Sequence, residues 1–466
     1  MPDYDLEKLD DCRRQILKRD GMRVPARLYA TEEMLKDILA DDAPQQAANV
    51  AHMPGILGAS LAMPDIHWDY GGGGGGYDVN CGARLMSSKL TKDDLDQAGQ
   101  ERLVDALFHR VPTGVGSSGA LRVDASTLPQ VLRNGAEWAV DTDCGSDADL
   151  DVIEENGQVD GADPDAVSAR AKERGLDQIG TLGSGNHFLE IGYVSEVYDD
   201  NPARVLGLQE GSVTAIIHSG SRGFGYQVCD GALPDIDRAM NKYNIDLPDR
   251  QLACTPVDSP EDRKYLRGMK CALNYAFPNR QVMAHNTRLA FESALDLTPR
   301  EHGLHTVYEV AHNIAKFETH RVDGREQEVC VHRKGATRAL PAGHPLPLVP
   351  GCYQNVGQPV LIPGDMGRYS YVLVGTEKAM DDTFGSTCHG AGRRMSRREA
   401  RKTAGNRNIT AELADEGIVV RGESSRTVRE EIPAAYKDVA NVVDAVEGAG
   451  LSQKVAQLRP LGVIKG

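Results

Sequence analysis

The chain has 466 residues, 40% hydrophobic and 26% charged, a globular composition large enough for more than one core, which excludes a disordered or fibrous chain. No apolar run reaches the length of a membrane span, the charged opening MPDYDLEKLDDCRRQILKRD does not read as a signal peptide, and nine Cys without CxxC spacing fit a reducing, cytoplasmic setting. The net charge of −16 is uneven: Glu137 to Asp165 holds eleven carboxylates and no Lys or Arg, whereas Arg393, Arg394, Arg397, Arg398, Arg401 and Lys402 form a local basic patch suited to phosphates.

Residues 1–50 are read as an N-terminal helical segment, with apolar positions at helical spacing in Leu6, Leu9, Ile16 and Leu17 and again in Leu28, Met34, Leu35 and Ile38. The six glycines Gly71 to Gly76 read as a flexible connection, and the acidic stretch 137–165 as an exposed excursion with few apolar anchors. From Ile179 to Val228 the chain reads as β, in apolar runs broken by glycine turns. Helical spacing returns at Leu304, Val307, Ala311, Ile314 and Phe317. PVLIPG and YSYVLVGT read as strands, followed by a basic helix after Gly392 and a long tail ending LRPLGVIKG. Helices and strands mix without a βαβ rhythm, which predicts an α+β fold, with mixed sheets flanked by helices and a cleft at strand ends.

Several of the 13 histidines stand where chemistry is possible. His218 closes the apolar strand TAII before the loop SGSRG, His187 follows the glycine turn GSGN, and His312 adjoins the apolar positions of VYEVAHNIAKFE. Each alone would more often be a satisfied core histidine. GYDVNCG adds Asp78 and Cys81 at i and i+3, so the inventory is three imidazoles, a carboxylate and a thiol. That exceeds one tetrahedral structural zinc and fits an open, catalytic centre with room for two ions and a bridging thiolate; for Cys81 the plainer reading is a small buried hydrophobe.

His389, in STCHGAGRR, has small flanking residues and then the Arg cluster, an arrangement suited to a histidine nucleophile attacking a phosphoryl group; the plainer reading is a helix cap. TGVGSSG lacks the ending of a P-loop, GSGN is not a dinucleotide fingerprint, and RVDG has Arg321 where lysine nucleotidyltransferases carry Lys.

Taken in order, MPDIHW, YDVNCG, LGSGNHFLE, HSGSRG, VAHNIAK, VHRKGATRALPAGHP, LIPGDMGRYSYVL, STCHGAGR, AYKDV and PLGVIKG resemble the RtcB-type RNA ligases, the GTP-dependent tRNA-splicing ligase family. The resemblance implies a catalytic domain over 51–466 that joins RNA 2′,3′-cyclic phosphate or 3′-phosphate ends to 5′-hydroxyl ends. It implies two Mn²⁺ ions held by Asp78, Cys81, His187, His218 and His312, with Cys81 shared, and His389 as the residue that becomes guanylated. Asn186, His187, Phe188, Leu189, Glu190, His312 and Asn313 would surround GTP, together with Pro363, Gly364, Asp365, Met366, Ser370, His389, Gly390, Ala391, Gly392, Tyr436 and Lys465. Arg393 and Arg397 would contact RNA phosphates, and an archease-like activator is an implied partner.

Two segments depart from the family pattern. WDYGGGGGG replaces a longer apolar segment, so Gly71 to Gly76 are expected to be mobile and metal affinity to be weakened. Asp365 stands where the family usually has Ser, and would repel phosphate, pair with an Arg, or accept from guanine. The alternatives to the ligase are a metal-dependent cyclic-phosphate hydrolase impaired in nucleotidyl transfer and a non-catalytic RNA-end-binding protein.

Overall fold

The computed structural model describes residues 5–67, 77–119, 121–345 and 348–466; the glycine tract 71–76, and with it the expectation of mobility there, lies outside them. In chain order the strands are β1 (Leu6–Lys8), β2 (Arg13–Ile16), β3 (Ala26–Tyr29), β4 (Ser60–Ala62), β5 (Gly82–Thr91), β6 (Phe188–Val197), β7 (Ser212–Ser219) and β8 (His305–Ala311). There follow β9 (Asn313–Val322), β10 (Arg325–Lys334), β11 (Ala336–Arg338), β12 (Pro359–Ile362), β13 (Ser370–Gly375), β14 (Ser386–Cys388), β15 (Val419–Gly422) and β16 (Ser452–Lys465). The main sheet has eight strands, running β12-β13-β16-β6-β7-β5-β8 with β15 added in parallel to β16. With helices packed around it, the architecture is the expected α+β.

The register of this sheet places the chemistry. Gly82 pairs with both Ser219 and Ala311, Phe188 pairs with His218, and Lys465 pairs with Phe188. Cys81, His187, His218, His312 and Lys465 therefore meet at one end of the sheet, contributed by strands that are antiparallel neighbours. Both faces are covered. Phe188, Val194, Leu361, Val372 and Leu458 belong to one apolar cluster, while Leu189, Ile191, Ile217 and Ile464 pack into another with the helices Gln97–Arg110 and Pro260–Leu295.

Pro260–Leu295 is the scaffold of the site. Ser259 caps it by accepting from the Asp262 amide, Pro260 starts it, and Glu261 and Asp262 suit the positive end of its dipole. Midway, the buried Asn279 accepts from the amides of Gly180 (2.8 Å) and Thr181 (3.1 Å) and donates to the Gly220 carbonyl (3.0 Å). Arg280 donates to the carbonyls of Asn80 (2.7 Å) and Ser219 (2.9 Å) and to Glu309 (2.7 Å). Two consecutive side chains thus hold three site loops in register.

Four readings are corrected. Residues 6–29 hold three short strands and no helix; helix begins only with Glu32–Ala40 and Ala43–Val50. Leu9 and Leu17, which completed the helical spacing, are exposed. The stretch 305–322 is a pair of strands rather than a helix, because β8 is buried on both faces from Thr306 onward and apolar residues then carry no period. The acidic stretch is anchored: Trp138, Ala139, Cys144 and Ile153 are buried in the core. Its buried carboxylates are paired, Asp149 with Arg288 at 2.6 Å and Glu154 with Lys316 at 2.7 Å. The β reading of 179–228 holds for β6 and β7 but stops at the helix Arg222–Lys242. Among the described residues no helix is long and apolar enough to cross a membrane.

Candidate metal and nucleotide site

Two donor groups share Cys81: Asp78 with Cys81 and His187, and Cys81 with His218 and His312, each with its ligand atoms within 4.8 Å of one another. Cys81 Sγ lies 3.4 Å from His187 Nε2 and 3.3 Å from His218 Nε2. His187 Nε2 is 2.8 Å from Asp78 Oδ2, and His218 Nε2 is 3.2 Å from His312 Nε2. The other nitrogen of His187 meets the Leu182 carbonyl at 3.0 Å, which fixes the ring with Nε2 toward the group. Gly220 admits Asp78: a Cβ there would collide with the carboxylate.

The electrostatics suit cations. Burial pushes the Cys81 thiol well up, reinforced by the Asp78 carboxylate, so its thiolate needs a strong positive partner. Burial pushes His218 and His312 well down, leaving them neutral, the form that ligates metal. Burial acts to raise the Asp78 carboxyl, but His187 and Arg222 hold it below its ordinary value. Sulfur, three imidazoles and one carboxylate in two facing sets fit two divalent transition-metal ions.

His389 follows β14, with its ring 4.6 Å from that of His312. Asp65, buried beneath it, accepts from the His389 amide (3.0 Å) and engages Nδ1 at 2.5 Å. Burial would raise the Asp65 carboxyl, but His389 and then Lys437 hold it down. Lys437 in turn donates to the carbonyls of Pro64 (2.9 Å) and Ile66, clasping the turn that carries Asp65. Among the described residues no hydrogen-bond partner meets Nε2 of His389. Gly392 (φ +72°) lets the following loop pass over Asp65, where a Cβ would strike the Asp65 carbonyl.

Next to His389, three loops interlock. The Ala391 amide donates to the Pro363 carbonyl (3.0 Å), the Lys437 amide to Gly392 (3.0 Å), and the Gly364 amide to Ser370 Oγ (3.2 Å). Asp365 is engaged internally: Oδ1 accepts from the amides of Gly367 (3.0 Å) and Arg368 (3.2 Å), while Oδ2 meets Arg368 Nε at 2.5 Å. Arg368 also donates to the carbonyls of Pro433 (3.0 Å), Tyr436 (3.2 Å) and Lys437 (3.2 Å). Of the three expectations for Asp365, pairing with an Arg is what the structure contains.

On the pocket's other wall, Lys465 Nζ lies 5.1 Å over the Phe188 ring and 3.8 Å from the buried Glu431. Glu190 is pushed up to about 8 by burial, partly opposed by Lys465. Met366, Ala391 and Tyr436 are buried, Asn313 donates to the Asp78 carbonyl at 2.7 Å, and Asn186 is exposed on the rim. Of the two arginines expected to hold RNA, Arg393 turns inward to Glu431 (3.0 Å) and the Tyr436 hydroxyl (3.2 Å). Arg397 is half exposed and leans over Gly185 of the GSGN turn.

Sequence reasoning thus named residues that do converge, but it passed over Asp65, Lys437, Arg368 and Glu431. Asp65, Arg368 and Lys437 stood inside the quoted motifs without a role and Glu431 stood outside them; their partners in the folded chain give them a place.

The chain matches the family described as tRNA-splicing ligase RtcB over residues 46–466. It is 50% identical to a tRNA-splicing ligase RtcB of Archaeoglobus fulgidus, with 99% of each chain covered, and 48% identical to that of Thermococcus kodakarensis, again with 99% of each. A third relative of the same name, from Methanococcus maripaludis, is 46% identical with 96% of each chain covered. A match over nearly the whole chain, with relatives 46–50% identical along almost their full length, makes the chain a member of the RtcB family.

Proposed function

We propose that the chain is an RNA ligase of tRNA splicing that joins 2′,3′-cyclic phosphate or 3′-phosphate ends to 5′-hydroxyl ends with GTP, through a guanylated His389. Asp78, Cys81 and His187 would hold one Mn²⁺, and Cys81, His218 and His312 a second. Bound there, such ions supply charge neutralisation at phosphate groups and Lewis-acid activation. The observation that carries the reading is the Asp65–His389 bond beside His312. It orients the imidazole, leaves Nε2 as nucleophile, and offers a carboxylate to steady the positive charge the ring acquires.

In this reading His389 Nε2 attacks the α-phosphorus of GTP and pyrophosphate departs. Phe188 and Glu190 would border the phosphates and ribose, and Lys465, above the Phe188 ring, would help hold the guanine. An RNA cyclic phosphate is opened by water to the 3′-phosphate. An oxygen of that phosphate then attacks the GMP phosphorus, breaking the bond to Nε2, and the 5′-hydroxyl displaces GMP to form the new phosphodiester. The Asp365–Arg368 pair leaves Asp365 no spare charge with which to repel GTP, which favours the ligase over the hydrolase reading.

Incubation with Mn²⁺ and α-labelled GTP is expected to give an acid-labile protein–GMP adduct, as a phosphoramidate should be. His389→Ala should abolish the label while retaining metal. Label persisting in that variant would assign another nucleophile.

A further inference from the structure

The proposed nucleophile and its carboxylate partner reach each other from two separate sheets. Asp65 stands three residues beyond β4, the last strand of the small sheet β1-β2-β3-β4, whose own apolar cluster includes Ile16, Ala26, Leu28 and Ala62. His389 stands directly after β14, which pairs with β11 elsewhere in the fold. The spacing between these two segments therefore decides whether Nδ1 meets the carboxylate, and a misplacement of about 1 Å at such a point costs on the order of 100-fold in rate.

One residue is bonded to both segments. Residues 435–437 run antiparallel beside the loop that follows His389: the Arg394 amide donates to the Ala435 carbonyl (2.8 Å), Arg393 bridges Tyr436, and the Lys437 amide donates to the Gly392 carbonyl (3.0 Å). From that last rung the half-buried Lys437 side chain reaches across to the other segment, where Nζ donates to the carbonyls of Pro64 (2.9 Å) and Ile66, one on either side of Asp65. Both bonds go to main-chain oxygens, so the ammonium fixes the course of the turn and leaves the Asp65 carboxylate to His389. Burial pushes that ammonium down to about 8, and the Asp65 carboxylate opposes the shift, as it does for a cation held beside it. The Lys437 carbonyl also accepts from Arg368 (3.2 Å), which ties the same residue to the loop 363–368.

We propose that Lys437 is a positioning residue of the guanylation step: it clamps the 64–66 turn against the loop that carries on from His389, so that Asp65 meets Nδ1 and Nε2 faces the α-phosphorus. It acts through Asp65 and not by a contact of its own with the nucleotide. This rests on the ligase reading for the reaction it serves. A lysine that only stabilised the fold would lower the melting temperature and the metal content together; one that sets this spacing lowers the rate of adduct formation and leaves both the affinity for GTP and the metal content in place.

The test uses the full chain with Mn²⁺ and α-labelled GTP in single turnover. Lys437→Met should slow guanylation about tenfold or more at saturating GTP, with metal content and the GTP concentration for half-maximal rate unchanged. Lys437→Arg, whose planar fork can still bridge two carbonyls, should stay within about threefold of wild type. In a chain already carrying Asp65→Ala, Lys437→Met should cost less than about twofold more, because the bond it serves is already gone. Where Lys437→Met does not fold, Lys437→Gln takes its place, since an amide donates to one carbonyl of the two and an intermediate rate is expected. Hydrogen exchange reads the clamp without the reaction: in Lys437→Met the peptide 60–67 should exchange about tenfold faster while the helix Pro260–Leu295 keeps its protection. An unchanged rate in Lys437→Met would overturn the proposal, as would a full multiplicative loss in the Asp65→Ala chain, which would make Lys437 an independent contributor. So would a raised half-maximal GTP concentration at an unchanged maximal rate, which would assign Lys437 to the nucleotide. A wild-type chain that takes no GMP label would refute the ligase reading instead, and hydrogen exchange would still decide the clamp: equal protection of 60–67 with and without the lysine would overturn it.

Discussion

Asp65 and His389 are 324 residues apart in sequence, and the proposed nucleophile depends on that one bond. Asn at position 65 keeps the shape but presents a neutral amide to Nδ1, so the ring loses both its preferred tautomer and the partner for its positive charge. Asp65→Asn is expected to slow guanylation on the order of 100-fold or more while metal content stays unchanged, measured as the single-turnover rate of adduct formation. Loss of metal alongside the rate would show that Asp65 supports the donor group instead. The difference between Asp65 and His389 in legibility is instructive. His389, Cys81 and His187 announce themselves by an unusual side chain among small residues, a local signal. Asp65, Lys437 and Glu431 are ordinary charged residues; burial distinguishes Asp65 and Glu431, and the distant carbonyls of Pro64 and Ile66 distinguish the half-buried Lys437.

Among elements, the loops 363–368 and 433–437 are joined chiefly by Arg368, which holds three carbonyls while neutralising Asp365. Burial raises the Asp365 carboxyl and Arg368 opposes that, so removing the guanidinium leaves an unpaired carboxyl inside. Arg368→Ala is expected to cost about 3 kcal/mol in denaturant unfolding. Asp365→Ser in the same chain should recover most of it, since a hydroxyl can accept from the Gly367 amide without needing a counter-charge. Additive losses in the double-mutant cycle would mean that the two residues act separately. The basic helix Arg397–Ala404 falls where the pattern put it because most of its surface meets water. β12 and β13, buried throughout, were legible as short apolar runs bounded by Pro and Gly. Strands were misread where only three or four residues mix with charged neighbours, as in β1 and β2, or where a buried strand such as β8 leads on without a turn residue, so that its apolar positions also fit a helical period.

For the molecule as a whole, the five candidate donors come from four separate parts of the chain, so bound cations would cross-link the entire sheet end. Ligands that bind only the folded state add stability by mass action, about 2.7 kcal/mol at a hundredfold excess over the dissociation constant. Chelation is therefore expected to lower the melting temperature by several degrees, and Cys81→Ser to remove nearly two metals per chain where one His→Ala removes about one. Metal analysis with melting curves checks both, and a single metal indifferent to Cys81→Ser would rule out the shared thiolate.

The order of strands in the sheet has a kinetic side. β16 is inserted between β13 and β6, and the buried pair of Arg84 with Glu309 that backs the site joins residues 225 positions apart. Within the main sheet only β6–β7, β12–β13 and β15–β16 join consecutive strands, so the chain must close very long loops before either donor group is complete, which makes for slow folding. Until then its cysteine and histidines are scattered and chelate poorly. The candidate metal site is complete only once the long-range pairings close, so any ion it took would be selected by the finished geometry rather than by the thiols of the nascent chain.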